Sequence, residues 1–575
     1  MPFADRTLSP EYLRAQTIGA DLEYTTPFGR RRLLYADYTA SGRALGFVED
    51  RMTRLLALYA NTHTGDDTTG RTMTALLHEA ERRIKAHVNA GPGGRVIGIG
   101  TGATGAIQRM QQIVGVALSP ATRARLDELL GRCAGSRVRE AFRDFCRSQQ
   151  PVVFVGPYEH HSNEVSWRES LATVVEVRLD TEGGIDLGHL EELLTSPAFR
   201  GRPRIGSFSA ASNVTGLVTD VGAVAALLHR HGALAFFDFA ASAPYVPIDM
   251  NPSGGNGDDR SIDAVFISPH KFLGGPGASG VLVFNERCYA GRLPPPPAGG
   301  GTVEFVGPRD HDFIDDIEAR EQAGTPGVLQ IIRAALAFEI KDAVGEDVIA
   351  ARERRLLERA FARLAAEPAI EVLGNPDPGR RVGIVSFNVR DGGGYLHPRF
   401  VTTLLDDLFG IQSRAGCSCA GPYGHVLLGI GPETAGRYRR LILEGMEGIK
   451  PGWCRVGIHY TFDDAEADHL VDCLVFVARY GRRFLPLYRF DPEGGGWRHR
   501  DGGAQAPIGF DDLLRGELPE NSGAVEPSRR ARGYSQCLSE ARAWLEKLPE
   551  QCSGRRSGCR GRRASCSTSP SLHRI

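Results

Sequence analysis

Between residues 95 and 284 the chain alternates short apolar runs with longer amphipathic stretches, and this rhythm constrains its fold more than any other feature. Runs at 95–99, 151–155, 173–178, 204–209, 233–237, 264–267 and 281–284 read as strands. The stretches 106–118, 187–194 and 221–231 have helical spacing. Strand and helix alternating at this length give an α/β domain with a mainly parallel sheet. In such sheets ligands lie beyond the carboxyl ends of the strands. His160, Asn213, Asp238 and Lys271 all fall at such ends.

Lys271 stands between the apolar runs 264–267 and 281–284, inside Ser268-Pro-His-Lys-Phe-Leu-Gly-Gly-Pro-Gly277. A lysine held between buried strands is costly unless its charge is removed or used. Only five of the 68 basic residues are lysines, so arginine serves wherever a positive charge is enough. An amine that must lose its proton and form an imine cannot be replaced by a guanidinium. These features point to a Schiff-base lysine holding pyridoxal phosphate; a surface lysine at a strand–turn boundary is the competing reading.

After the strand at 95–99, Gly100-Thr-Gly-Ala-Thr-Gly105 opens a helix. A strand, a glycine-rich turn and a helix N-terminus make an anion site, because free N–H groups and the helix dipole face the ligand. The same glycines spell the dinucleotide fingerprint, which needs an acidic residue about 20 positions later at the end of a second strand. Asp127 has the spacing but lies in a helical segment, which disfavours a Rossmann oxidoreductase. Asp238 suits a pyridine nitrogen, His160 ring stacking and proton transfer, and Asn213 a phenolic oxygen. Ser268 and His270 would complete a phosphate cup with Thr104.

The remaining organisation reads as an irregular N-terminal arm at 1–30 and a large domain at 31–295, with a helical insertion at 119–149. A connector at 296–327 leads to a smaller α+β domain at 328–489, followed by an extension at 490–575 that is disordered from about 550. In the smaller domain, Ser413-Arg-Ala-Gly-Cys-Ser-Cys-Ala-Gly-Pro-Tyr-Gly424 sets two cysteines beside an arginine. A redox pair, metal ligands, a nucleophile and inert structural thiols are all open readings. Cys-x-Cys with only His425 nearby lacks a second ligand pair for zinc, and no metal is expected.

A net charge of -1 argues against nucleic-acid binding. No apolar run is long enough for a membrane span. Scattered cysteines and the absence of a signal-peptide pattern point to a reduced, cytoplasmic protein.

In order, Thr101-Gly-Ala-Thr-Gly-Ala-Ile-Gln108, Glu159-His-His-Ser-Asn163, Ser212-Asn-Val-Thr-Gly216, Asp238, Ser268-Pro-His-Lys271, Ala323-Gly-Thr-Pro326, Arg414-Ala-Gly-Cys-Ser-Cys-Ala420 and Cys454-Arg455 resemble the class V aminotransferase family. The resemblance spans about 30–480 and is nearest to the cysteine desulfurase and selenocysteine lyase branch. It implies a fold-type I transferase dependent on pyridoxal phosphate, with a seven-stranded-type large domain. Lys271 would be the Schiff-base residue, His160 the ring-stacking histidine and Asp238 the pyridinium partner. Ala103, Thr104, Ser268 and His270 would hold the phosphate, and Thr325 would reach the partner's phosphate in a homodimer. Arg455 would hold the substrate carboxylate, with Arg414 as a second substrate-binding arginine, and Cys419 rather than Cys417 would be the persulfide-forming nucleophile. A small amino acid would be the substrate and a sulfur-acceptor protein a partner. Ala241 departs from the glutamine common at that position, leaving Asn213 to meet the phenolic oxygen. An aminotransferase or lyase without persulfide chemistry, and a non-catalytic scaffold of the same fold, are the rival readings.

Overall fold

The computed structural model describes residues 8–62, 64–253, 257–502, 508–519 and 523–549. The chain divides into two compact units, one formed by residues 41–347 and the other by residues 8–40 with 348 onward.

Among the described residues, the first unit is built on seven strands: β1 (Gly94–Ile99), β2 (Val152–Val155), β3 (Thr173–Glu176), β4 (Arg204–Ser209), β5 (Leu234–Asp238), β6 (Ala264–Ile267) and β7 (Gly280–Asn285). Their order is β1-β7-β6-β5-β4-β2-β3. β7 runs antiparallel to both its neighbours, and the other pairings are parallel. β2 (VVFV) and β6 (AVFI) are buried at every position, as strands covered on both faces must be. This is the mainly parallel α/β sheet expected from the alternation.

The helices of this unit include α1 (Thr68–His87), α2 (Ala103–Ile113), α3 (Pro120–Cys133), α4 (Ser136–Gln149), α5 (Val221–Arg230) and α6 (Val328–Val344). α3 and α4 form the 119–149 segment, joined by an Arg143–Asp127 ion pair at 3.0 Å, with Leu126, Phe142 and Phe145 exposed. α6, expected to open the smaller domain, instead belongs here. It lies along α1, where His87 stacks on Phe338 at 5.7 Å and Arg83 bonds Glu339 at 2.7 Å. It also presses on β1: a Cβ on Gly98 would sit 2.5 Å from Ile331. The expected connector is also part of this unit, because Arg109 of α2 donates to the Glu321 carbonyl at 2.7 Å and to its carboxylate at 2.9 Å.

The second unit has a four-strand antiparallel path, β8 (Ile370–Val372), β9 (Ile384–Asp391), β11 (Trp453–Gly457) and β10 (Arg414–Gly416), in that spatial order. Its helices include α7 (Glu346–Ala365), α8 (Pro398–Phe409), α9 (Asp464–Phe484) and α10 (Pro527–Lys547). Among the described residues, no helix is long and apolar enough to cross a membrane.

The N-terminal arm is not irregular from residue 8 onward. Helix Pro10–Gln16 starts on a Ser9 cap. Strands Glu23–Thr26 and Gly29–Arg32 form a hairpin, and Leu34–Tyr35 pairs in parallel with Ile411–Gln412. Residues 31–40 therefore fold with the second unit, away from the large domain to which they had been assigned. Gly29-Arg-Arg-Arg32 has no apolar alternation to announce a strand. Its place is set by acceptors such as the Leu408 carbonyl, which takes Arg31 Nε at 2.6 Å. The described part of the extension includes α10, whose Tyr534 stacks on His469 of α9 at 4.2 Å. The stretch expected to be disordered from about 550 lies outside the described residues.

The arm is anchored by Arg14, which pairs with Asp21 at 3.1 Å and Glu466 at 2.8 Å, all three side chains being nearly inaccessible. Arg14→Ala leaves Asp21 buried without its cation and Glu466 with only Arg530, at 3.7 Å. We predict a loss of about 3 kcal/mol of stability, read as a lowered urea midpoint with an unchanged m-value. A midpoint equal to wild type would mean that the arm is not an integral part of the unit.

Candidate active site

The first part of the site is made where β1, α2 and the β6–β7 turn meet. Gly100 turns the chain at φ +57°, and α2 begins after Gly102, which offers no side-chain cap. Its first N–H groups therefore need outside acceptors, and the helix dipole favours an anion there. Ala103 N donates to Ser268 Oγ at 2.9 Å, and Thr104 Oγ1 lies 2.7 Å from Ser162 Oγ. A Cβ on Gly102 would come within 3.2 Å of Ser268 Oγ and 3.5 Å of His270 Nε2. The concavity between the helix end, Ser268 and His270 is thus kept open by the absence of a side chain. Burial, helped by the neighbouring Lys271 charge, pushes His270 down to about 4. It is neutral at pH 7 and contributes hydrogen bonding rather than charge.

Lys271 closes a tight turn, its N–H bonded to the Ser268 carbonyl at 3.0 Å. The His270 carbonyl accepts from Gly42 N at 2.9 Å. A Cβ on Gly42 would lie 2.0 Å from the Phe272 carbonyl oxygen, so backbone packs directly on the lysine turn.

Asp238 ends β5 and is buried, with Oδ1 accepting from Ala240 N at 2.8 Å. Burial raises its pKa, opposed by that N–H and by the positive charge of Lys271. Lys271 and Asp238 are therefore brought into one electrostatic neighbourhood. His160 is half-buried; its Nδ1 accepts from Ser162 N at 3.1 Å, so in the neutral ring Nε2 carries the proton. Asn213 is buried in the loop after β4, and Thr325 is exposed, donating to Asn61 Oδ1 at 3.3 Å. Ala241 is buried and brings no polar side chain.

Glu159 was quoted in the sequence but given no task. It accepts from Ser209 N at 2.8 Å, Ser209 Oγ at 2.7 Å and Asn163 Nδ2 at 2.7 Å. Ser209 stands directly beside Asp238 in the β4–β5 register. Burial pushes Glu159 up to about 7, outweighing its hydrogen bonds, and the Asp238 charge adds to the rise. A glutamate just before two histidines at a strand end was the available signal.

In the second unit, β10 and β11 place Arg414 and Arg455 directly opposite one another. Like charges in such a pair repel. Asp37 relieves the conflict, accepting from Arg455 Nη2 at 3.0 Å and from Arg414 Nε at 2.9 Å. Arg455 is buried, which lowers its pKa against the opposing pull of Asp37 and a smaller one of Cys419.

Beyond β10 the chain makes an uncommon turn. Ser418 and Cys419 have φ of +49° and +54°, two successive side-chain-bearing residues in the left-handed region. Such residues cost about 1–2 kcal/mol each and cluster where function over-determines the backbone. The turn is closed by Ala420 N to the Cys417 carbonyl at 3.0 Å, and buried Ala420 leads into helix Gly421–Leu427. Cys417 is left half-buried and Cys419 exposed.

The family model for aminotransferase class-V matches residues 140–470, more than half of the chain. The chain belongs to the class-V aminotransferase family. Similar curated proteins include a probable cysteine desulfurase of Halalkalibacterium halodurans, 31% identical over 274 residues. That match covers 47% of this chain and 62% of the relative, a little under two thirds of its length. A probable cysteine desulfurase of Staphylococcus aureus is 28% identical over 400 residues, covering 68% of this chain and 84% of the relative. Among solved structures, the apo cysteine desulfurase of Thermococcus onnurineus superposes with a TM-score of 0.59 at 20% identity, over 78% of this chain and 95% of that one. The cysteine desulfurase CsdA of Escherichia coli gives 0.57 at 22%, over 81% and 98%.

Enzymes of this class-V family depend on pyridoxal phosphate, and the residues present fit that group. The cradle kept open by Gly102 joins a helix N-terminus to hydroxyl donors, and a buried carboxylate and an amine stand at the neighbouring strand ends. Gly102→Val fills the cradle. We predict cofactor affinity at least about tenfold weaker, followed by absorbance during pyridoxal phosphate titration, with unchanged far-ultraviolet circular dichroism. Full affinity in the variant would show that the phosphate sits elsewhere.

Proposed function

We propose that this class-V enzyme is a cysteine desulfurase, taking sulfur from L-cysteine, or selenium from selenocysteine, and leaving alanine. The observation that carries the reading is the left-handed turn that exposes Cys419 in the electrostatic neighbourhood of Arg455. The kinship with probable cysteine desulfurases supports it.

Bound pyridoxal phosphate supplies an electron sink that lets bonds at the α- and β-carbons of an amino acid break heterolytically. The N-terminus of α2 at Ala103, with Thr104, Ser268 and His270, holds the phosphate. Asp238 accepts the proton-bearing ring nitrogen, and its ionised form is helped by Lys271 and the Ala240 N–H. Lys271 would be the residue that holds the cofactor and would move the proton at the substrate α-carbon, while His160 would lie against the ring and offer an Nε2 proton. Asn213 takes the phenolic oxygen, since Ala241 cannot. Thr325, exposed on its loop, reaches the partner's phosphate in a homodimer.

Arg455 binds the substrate carboxylate, assisted by Arg414, with Asp37 holding both guanidiniums in place. In the sulfur step, the Cys419 thiolate attacks the substrate sulfur. An S–S bond forms and the Cβ–S bond breaks. Its electron pair stays with the carbon, which gains a proton and leaves as alanine. The persulfide on Cys419 is then passed to a thiol of an acceptor protein.

Incubation with L-cysteine is expected to yield alanine and a one-sulfur mass increase on the Cys419 peptide. In Cys419→Ala both fall, alanine by about 100-fold or more. Undiminished alanine in that variant would replace this mechanism with that of an aminotransferase or lyase using the same cofactor residues. Asp37→Asn removes the charge that reconciles two facing arginines. We expect KM for cysteine to rise about tenfold with the bound-cofactor absorbance unchanged. An unchanged or lower KM would refute the positioning role of Asp37.

A further inference from the structure

The second unit contains a concavity of about 380 Å³ with no part in the reaction above. One side is the hairpin that carries Arg30, Arg31 and Arg32, and the other is the face of α10 that carries Arg529, Arg532 and Gln536. Of the lining residues only Phe409 lies within the stretch matched by the family. The N-terminal hairpin and the C-terminal extension have built this pocket together.

The charge in it is unbalanced. Five arginines line the pocket against two glutamates, Glu23 and Glu540, a net charge of +3. Glu23 is divided between Arg32 at 2.7 Å and Arg30 at 3.3 Å, and Glu540 pairs with Arg31 at 2.9 Å. Arg32 Nε is buried with no hydrogen-bond partner among the described residues. Arg529 and Arg532 make no side-chain ion pair or hydrogen bond there either. Composition does not force this, since the chain holds 69 acidic residues against 68 basic ones.

The shape is also particular. Arg529, Arg532, Gln536 and Glu540 recur at helical spacing on one face of α10, while Arg530 on another face is buried against Asp463 and Glu466. Gly533 stands inside the helix, where glycine costs about 1 kcal/mol relative to alanine. A Cβ there would lie in ordinary contact with Arg32 Nη1, at 3.6 Å, so Gly533 faces that guanidinium.

We infer that this pocket binds a small diphosphate-bearing anion. The guanidinium forks of Arg529 and Arg532, which have no side-chain partner among the described residues, can match phosphate oxygens two by two, and the lining contains no lysine. A diphosphate carries about three negative charges near neutral pH, which balances the excess. The concavity also has room for a group attached to the diphosphate, so free pyrophosphate and a nucleoside diphosphate share the recognised chemistry.

The test is isothermal titration of the holoenzyme, in which the cofactor already fills its own phosphate cup, with inorganic pyrophosphate and separately with ADP at low salt. We expect saturable binding at one site per chain that weakens as salt is raised. It should fall at least about tenfold in the double variant Arg529→Ala/Arg532→Ala, whose side chains support no other part of the fold. Gln536→Glu, which adds a negative charge to the same wall without removing packing, should weaken it too. The bound-cofactor absorbance and alanine formation should be unchanged in both variants. Equal affinity for the two ligands identifies the diphosphate as the whole determinant; tighter binding of ADP identifies a nucleotide as the source. The inference is overturned if neither ligand binds at about 1 mM, or if both variants bind as wild type does.

Discussion

The site depends first on a backbone contact with no side chain in it. β7 enters the sheet at Gly280, where a Cβ would lie 2.4 Å from the Gly102 carbonyl oxygen and 2.6 Å from that of Ile99. Any larger residue would push β7 away from the end of β1. β7 is the one strand running against the others, and the turn that feeds it carries Ser268, His270 and Lys271. Close approach at Gly280 therefore sets the lysine turn against the first N–H groups of α2. The Ala103 to Ser268 bond records the result. The glycine-rich turn contributes more than flexibility here: it lets two elements meet at hydrogen-bonding distance around an anion-sized concavity.

Once that geometry exists, burial decides which charges survive. Glu159 follows β2 and Asp238 ends β5, with β4 between them, and the Asp238 charge raises Glu159's cost of ionisation. Glu159 is drawn up to about 7 even with three donors around its carboxylate. Asp238 has one backbone N–H and the Lys271 amine to offset its own burial. The Lys271 charge offsets only part of the burial of Asp238, which favours a second positive centre beside that carboxylate. A protonated ring nitrogen has that property, so the local electrostatics and the shape of the cradle favour the same group.

Much of the first unit was legible because its core strands are continuous apolar runs. The segments 204–209 and 264–267 were bounded correctly residue for residue, and Val328 was marked as the start of a new element, the helix α6. What could not be read was which body that helix joins, since its apolar face would suit either; contact with His87 and Ile331's fit over Gly98 decide it. The arm failed for a different reason. Three successive arginines carry no periodic signal, and the strand they form is held by distant carbonyls. Asp37 and Glu159 were visible as acids at strand ends, but their tasks rest on partners hundreds or tens of positions away, at 455 and 209. The motifs marked the candidate side chains; the residues that hold those side chains in place were hidden in tertiary pairing.

The second unit shows two ways of treating arginine. At β10 and β11, facing guanidiniums are made tolerable by a carboxylate delivered from the N-terminal segment, so Asp37 ties the arm to that strand pair. Arg14 and Arg530 are treated similarly, both converging on Glu466. Each of these cations has an acid within reach, as the cost of burying an unpaired charge requires of the buried ones, Arg14, Arg455 and Arg530. The wall formed by the hairpin and α10 differs: Arg529 and Arg532 are exposed and have no acidic partner among the described residues, and Glu540 on the same face of α10 is engaged by Arg31. An excess of positive charge kept around a concavity, in a chain with acid to spare, is the arrangement that a site for an external anion requires.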